Sequence, residues 1–213
     1  KNAKIFCNLD PIGQLAQEGN WFSTQEKNNF ETLNLLSNKT TTVSLISING
    51  GLYQNSGANM VQQIAYSLAH ANEYFNRISK INQPIVFEIS VGTNYFFEIA
   101  KLRALRLLFN LIAREYNHNF DCHILVSPTK RNKTLYDYNV NLLRTTTECM
   151  SAILGGADAI ANLPYDALYH KDNEFGNRIA RNQLLVLKHE SHFDKVNNPA
   201  EGSYYIESLT SQL

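Results

Sequence analysis

The sequence predicts an α/β fold of parallel βαβ units, in either a doubly wound sheet or part of a (β/α)8 barrel. Three observations carry the prediction. Short apolar runs alternate with long amphipathic stretches along the whole chain. The runs are rich in β-branched residues, as in Thr42-Val43-Ser44-Leu45-Ile46-Ser47-Ile48. The stretches between them carry apolar residues at helical spacing. Strands separated by helices must pair in parallel, because a parallel pair needs a crossover connection, and the sheet is then covered on both faces.

Ala3-Lys4-Ile5-Phe6-Cys7 reads as the first strand. A helix follows from Ser23 to Leu36, with Ser23 as N-cap and Glu26 three residues on. The second strand, Thr42 to Ile48, leads to a helix from Ala58 to Ile78, where Val61, Ile64, Ala65, Leu68 and Ala69 form one apolar face. Ile85-Val86-Phe87-Glu88-Ile89 is the third strand. Its helix runs from Asn94 to Tyr116, with Phe97, Ala100, Ala104, Leu107, Leu108 and Leu111 mostly on one side. Cys122 to Val126 is the fourth strand and Asn139 to Leu154 the fourth helix. Ala157 to Ala161 is a short fifth strand after Gly155-Gly156, and Glu174 to His189 is its helix. A further helix starts over Ser203 to Leu209, and a sixth strand is placed near Lys195-Val196. This makes about five to six βα units in one domain over residues 1–213.

Composition narrows the function. The 213 residues carry 19 basic and 19 acidic side chains, for a formal net charge of zero. Nucleic acids and anionic membranes call for a basic surface that displaces counterions, so neither is an expected partner. No apolar run reaches the ~20 residues needed to span a bilayer. The start, Lys1-Asn2-Ala3-Lys4-Ile5, has no leader pattern and reads as a fragment without a secretory signal. Cys7, Cys122 and Cys149 are far apart without CxxC, which favours a reducing cytoplasm over a disulfide framework. The sequons Asn38-Lys39-Thr40 and Asn132-Lys133-Thr134 read as chance in an Asn-rich chain.

In both candidate folds, ligands meet the loops after the carboxyl ends of the strands. These loops are Asn49 to Gly57, Ser90 to Thr93, Ser127 to Thr134 and Asn162 to Leu168. The first is rich in glycine and holds no acid or base beyond Tyr53. The third carries Lys130, Arg131 and Lys133, a set able to hold a phosphate or carboxylate, or simply a solvated loop. His189 and His192 are three apart, whereas a zinc-binding HExxH helix needs four. Cys122 and His123 are adjacent in a strand and point to opposite faces. Lys101, Arg103, Arg106 and Arg114 fit an ordinary charged helix face, with Glu98 in i,i+3 reach of Lys101. No GxGxxG follows the first strand and no GxxxxGK[ST] appears. The residues alone therefore show no catalytic, cofactor-binding or metal-binding constellation.

Four segments resemble the methylmalonyl-CoA mutase family. Arg144-Thr145-Thr146-Thr147-Glu148-Cys149-Met150-Ser151-Ala152-Ile153-Leu154-Gly155-Gly156 is similar to its R-T-T-x-E-A-x-A-A-x-x-G-G. Phe175-Gly176-Asn177-Arg178-Ile179-Ala180-Arg181-Asn182-Gln183 is similar to F-S-x-R-I-A-R-N-T-Q. Glu190-Ser191-His192, Lys195-Val196 and the run from Gly202 to Thr210 resemble E-S-H-I-x-K-V-x-D-P-x-G-G-S-Y-x-x-E-x-L-T. Gly92-Thr93-Asn94-Tyr95-Phe96-Phe97-Glu98-Ile99-Ala100-Lys101-Leu102-Arg103-Ala104 resembles G-x-N-F-F-x-E-I-A-K-x-R-A. The likeness runs from about Thr42 to the end, and residues 1–41 match weakly.

The resemblance implies the middle and C-terminal part of a (β/α)8 barrel, which in the family binds an acyl-CoA along its axis and meets adenosylcobalamin at the C-terminal strand ends. It implies the radical interconversion of methylmalonyl-CoA and succinyl-CoA, with the cofactor making the radical. Against the family's I-S-G-Y-H-M-Q-E-A-G-A, this chain reads Ile48-Asn49-Gly50-Gly51-Leu52-Tyr53-Gln54-Asn55-Ser56-Gly57-Ala58. The Tyr-His pair is replaced by Gly51-Leu52, which supplies neither the aromatic wedge nor the hydrogen-bond donor to the thioester. R-L-S-F-F-W becomes Pro84-Ile85-Val86-Phe87-Glu88-Ile89, and T-H-S-Q-T-S-G-W becomes Val126-Ser127-Pro128-Thr129-Lys130-Arg131-Asn132-Lys133. The run H-T-N-x-x-D-E-A becomes Ala161-Asn162-Leu163-Pro164-Tyr165-Asp166-Ala167-Leu168. The DxHxxG cobalamin motif does not occur in these residues, so the cobalamin-binding domain is expected to be absent. Packing positions are kept while polar site groups are lost. The expected role is therefore that of the silent small subunit, paired in a heterodimer with a large catalytic subunit. No catalytic, cofactor or metal residue is expected in this chain, and adenosylcobalamin is expected for the holoenzyme only. Two alternatives stay open: an active subunit of a related cobalamin-dependent acyl-CoA mutase with altered substrate, and a free-standing binding module using the basic loop.

Overall fold

The computed structural model describes residues 4–40, 42–171 and 173–213. In chain order the elements are β1 (Ile5–Leu9), α1 (Pro11–Glu18), α2 (Glu26–Lys39), β2 (Val43–Asn49), α3 (Gly50–Asn55), α4 (Met60–Arg77), β3 (Val86–Val91), α5 (Tyr95–Glu115), β4 (His123–Pro128), α6 (Val140–Leu154), β5 (Ala159–Ile160), α7 (Glu174–His189) and α8 (Tyr204–Gln212). All four strand pairings are parallel, and the strand order in the sheet is β1-β2-β3-β4-β5. That order separates the two predicted folds. A doubly wound sheet reverses direction at a switch point, whereas here each new strand is added on the same side. The sheet also curls. The ring of Phe6 on β1 stacks on His123 of β4 at 4.1 Å, although two strands lie between them. The architecture is a half-barrel of the (β/α)8 type.

The core lies between the sheet and its helices. Ile48, Ile85, Phe87, Ile89, Ile124 and Val126 pack against Leu68, Ala71 and Phe75 of α4 and Leu102, Leu105 and Phe109 of α5. Phe87 meets Phe109 edge to face at 5.3 Å, the arrangement that suits the ring quadrupoles.

Five strands stand close to their predicted positions, with ends displaced by one to a few residues. The first extends past Cys7 to Leu9, and Ala3 lies outside the described residues. Asn8 has a φ of 41°, and the register with β2 slips between Phe6 and Leu9; this bulge turns the strand end toward Asp10. The sixth strand near Lys195-Val196 does not form. Those residues lie in a run of turns and bends, and the sheet has five strands among the described residues.

Several helices differ in detail. α1 follows directly from β1, with Asp10 as its N-cap accepting from Gly13 N and Pro11 in the first turn. α2 starts at Glu26 rather than Ser23. Ser23 does not cap it: its Oγ donates to Gln25 O at 3.2 Å, and its N–H is held by Asn29 Oδ1 at 3.1 Å. α4 is capped instead by a reciprocal box between Asn59 and Gln62. Its buried side is turned from the predicted one. Ile64 and Leu68 are buried, but Val61, Ala65 and Ala69 are exposed, while Gln63, Ser67 and His70 are inside. On α5, Ala100 and Ala104 are buried as expected and Leu108 is half-buried. Phe97, Leu107 and Leu111 are exposed, and Ile99, Leu102, Leu105 and Phe109 take the core. Both helices are apolar around much of their girth, and the strand ends demand polar partners that periodicity alone does not reveal. No helix of the described residues is long and apolar enough to cross a membrane.

Truncating Phe87 to Ala is expected to cost about 3–5 kcal/mol of stability, read as a shift of the urea midpoint in the full-length protein at constant slope.

Candidate functional site

A parallel sheet brings all its carboxyl ends to one end of the fold, and the four predicted loops gather there. The first is not a plain turn. Residues 50–55 form α3, capped by Asn49, whose Oδ1 accepts from Leu52 N at 3.0 Å. Two glycines let α3 lie this close to its neighbours. A Cβ at Gly50 would stand 2.4 Å from Ser67 Oγ, and one at Gly51 would stand 2.6 Å from Ser90 Oγ. Asn55 ties three loops together. It donates to Gly51 O at 2.9 Å and Ser90 Oγ at 3.3 Å, and accepts from Thr129 Oγ1 at 2.8 Å and Lys130 N at 3.1 Å.

Beneath this lattice Lys101 and Glu98 form an ion pair, each side chain only 1% exposed. The spacing of the two is as predicted, but their setting is a correction: they face the interior rather than the polar side of α5. Lys101 Nζ also donates to Gln63 Oε1 at 2.8 Å and Ser90 O at 2.7 Å. Glu98 Oε1 accepts from Gly92 N at 2.9 Å, and Gln63 Nε2 donates to Gly50 O at 3.0 Å. Burial pulls the Lys101 ammonium below its usual range, against the opposing pull of Glu98. Arg103 and Arg106 of the same helix are partnered as well, Arg103 with Glu207 and Arg106 with Asp121 and Asp158.

The basic loop is likewise drawn inward. Lys133 pairs with Glu148 at 2.6 Å, both essentially without exposure, and Asn132 donates to the same carboxylate at 2.6 Å. Burial lowers the Lys133 pKa and raises that of Glu148. Arg131 donates to Gln54 O at 3.4 Å and Ala58 O at 3.1 Å, while Lys130 is exposed. The three cations therefore do not converge on one anion. Arg131 borders a cleft of about 390 Å³ whose walls include Gln54, Asn59, Gly92, Asn94 and Thr129.

A third cluster was not foreseen. Asp10, at the end of β1, accepts from Tyr74 OH at 2.7 Å, Gly13 N at 2.8 Å and Asn49 N at 2.8 Å. His70 Nε2 lies 2.9 Å from the same carboxylate, and His70 Nδ1 meets Tyr53 OH at 3.1 Å. Burial works to raise the Asp10 pKa, but His70, Tyr74 and Asn49 together outweigh it and hold it below the ordinary 3.8. Burial and the Asp10 charge push the Tyr53 phenol up. The signal for Asp10 was present as Asp-Pro at a helix start. Nothing in the sequence marked its long-range partners on α4.

The remaining predicted residues are dispersed. His189 and His192 are exposed, Cys122 is buried, and His123 stacks on Phe6. Among the described residues no group of three or more His, Cys, Asp or Glu side chains could hold a metal ion. Cys7, Cys122 and Cys149 are free thiols, and burial pushes the last two up to about 12.

Lys101→Met, which leaves Glu98 as an uncompensated buried charge, is expected to destabilise the full-length protein by about 3–5 kcal/mol. Adding Glu98→Gln should recover part of the loss in the same denaturation assay. Because the Asp10 pKa is depressed on folding, its stabilisation is present above 3.8 and is lost as pH falls through the depressed value. Asp10→Asn should therefore lower stability at neutral pH by about 1–3 kcal/mol and flatten the acid limb of the stability curve, measured by unfolding across a pH series.

The profile of the family named Methylmalonyl-CoA mutase matches residues 5–213. The methylmalonyl-CoA mutase small subunit of Porphyromonas gingivalis is 41% identical over 181 residues, covering 79% of this chain and 29% of that protein. The small subunit of Streptomyces virginiae is 33% identical over 215 residues, covering 96% of this chain and 34% of that protein. The methylmalonyl-CoA mutase of Rhizobium meliloti is 36% identical over 180 residues, with 79% and 25% covered. The chain thus spans about a third or less of the length of these relatives. A half-barrel with strands in sequential order, matched by this family over nearly its whole length, belongs to the methylmalonyl-CoA mutase family.

Proposed function

We propose that these residues are the middle and later barrel strands of the non-catalytic small subunit of an adenosylcobalamin-dependent methylmalonyl-CoA mutase. Its role is to pair with the large catalytic subunit and stabilise it, in a heterodimer of the cytoplasm that serves propionate metabolism. The observation that carries this reading is α3. The resemblance aligns Gly51 and Leu52 with the family's Tyr-His pair. Leu52 has no donor for a thioester oxygen. Gly51 supplies no ring, and the space beside it is taken by Ser90 Oγ.

The cofactor implied for the holoenzyme makes the radical when bound. The strand ends of this chain do not fit it: Asn55, Gln63, Glu98 and Lys101 are taken up by one another and by the backbone. No step through the cofactor is assigned to this chain. The small-subunit names of the Porphyromonas and Streptomyces relatives support the same assignment.

The full-length protein, given adenosylcobalamin and methylmalonyl-CoA, is expected to show no turnover by itself. Co-expression with its large subunit should raise the yield and melting temperature of active enzyme. Turnover of any CoA thioester by this chain alone would overturn the assignment.

A further inference from the structure

The Asp10 cluster places a phenol against a base. His70 sits between two oxygen partners, its side chain 2% exposed, with Nε2 2.9 Å from the Asp10 carboxylate and Nδ1 3.1 Å from Tyr53 OH. The carboxylate keeps a proton on Nε2, so Nδ1 presents its lone pair and accepts the Tyr53 O–H. The phenol is thus bonded to an imidazole that is itself backed by a buried anion. Tyr116 supplies the contrast. Its OH donates to Asn72 Oδ1 at 2.7 Å and Asn76 Oδ1 at 3.0 Å, and an amide oxygen does not take up a proton at neutral pH.

The rings around Tyr53 form a chain from the surface inward. Tyr66 of α4 is 47% exposed and meets Tyr53 edge to face at 5.5 Å. The Tyr53 ring lies 6.2 Å from that of His70, and His70 lies 5.2 Å from the fully buried Tyr74, whose OH donates to Asp10. Of the two phenols, Tyr53 has the better proton acceptor. Against the pull of burial, His70, Tyr74 and Asn49 hold the Asp10 carboxylate deprotonated. A proton on Asp10 would remove the anion that Gly13 N and Asn49 N bind. A proton on His70 instead makes an imidazolium beside a carboxylate, a matched pair in a buried setting.

We propose that Tyr53 is a one-electron redox site, with His70 Nδ1 as the acceptor of its proton. A diffusible one-electron oxidant, such as a peroxyl radical or an oxidised metal complex, takes one electron from the phenol. A phenol that kept its proton would become a cation in a poorly hydrated place, so the proton moves with the electron. The O–H bond breaks, the proton passes to Nδ1, and the Nε2 proton stays facing Asp10. Tyr53 is left as a neutral phenoxyl radical and His70 as an imidazolium. One electron from a reductant such as ascorbate reverses the step, and the proton returns from Nδ1 to the phenoxyl oxygen. No proton enters or leaves the cluster in either direction. This inference goes beyond the small-subunit assignment and stands independently of it.

The experiment is flash oxidation of the full-length protein by photogenerated tris(bipyridine)ruthenium(III), read by phenoxyl absorption and electron paramagnetic resonance. Exposed phenols such as Tyr136 and Tyr204 must hand their protons to solvent and buffer, so their oxidation quickens with buffer-base concentration. Tyr53 is expected to add a faster phase that is independent of buffer base and slower in D2O. Tyr53→Phe should abolish that phase, and Tyr116→Phe should leave it unchanged. His70→Gln keeps the phenol but takes away its base, and should slow the phase by about 100-fold. A parent protein without a buffer-independent phase, or a phase that survives in Tyr53→Phe, overturns the site. A His70→Gln protein that melts as the parent does and keeps the full rate overturns the role of His70. Where His70→Gln does not fold, the parent alone decides: equal rates in H2O and D2O rule out the coupled proton transfer.

Discussion

A lysine ammonium and a glutamate carboxylate without access to water set the terms for the rest of this fold. Desolvating both charges is costly, and Coulomb attraction offsets that cost only when every remaining donor and acceptor is also matched. Lys101 and Glu98 meet the condition through Gln63 of α4, the carbonyl of Ser90 at the end of β3, and the N–H of Gly92. The pair therefore fixes where α5 begins, how α4 is turned about its axis, and where β3 ends. Gln63 in turn holds Gly50 O, so the position of α3 follows from the same matching.

The pattern recurs around the carboxyl ends of the strands. Lys133 and Glu148 repeat it between the third of the strand-end loops and α6, and Asp10 gathers donors from β2, α1 and α4. Each cluster joins elements distant in sequence, and each is closed by hydrogen bonds within the chain. In an enzyme of this architecture the same end of the sheet holds the ligand. Here polar residues are abundant at that end, yet they rigidify the scaffold.

How much of this could be read from residues alone differs by element. The strands were legible because short runs rich in β-branched residues alternate with long amphipathic stretches, and α7 stands at both of its predicted ends. α1 and α3 were passed over: each is short, and a helix of a turn or two is stabilised by its cap and its contacts more than by periodicity. The buried sides of α4 and α5 were misjudged at Val61, Leu107 and Leu111, because residues with apolar character on several sides give no unique phase. Periodicity alone left a doubly wound sheet and a barrel open; the family resemblance implied the barrel, and the sequential strand order bears it out.

The sequence by itself determined the alternation of strands and helices, the loops that meet at one end, and the likeness to a mutase family. Those are local properties, written in spacing and residue type. Only the tertiary structure decided that Lys101, Glu98 and Lys133 lie inside, that His70 and Tyr53 belong to Asp10, and that Phe6 reaches across to His123. The physical reason is common to all three. Burial of charge and stacking across a curved sheet depend on which distant segments arrive beside one another, and that arrival is set by strand order and curl rather than by any local pattern.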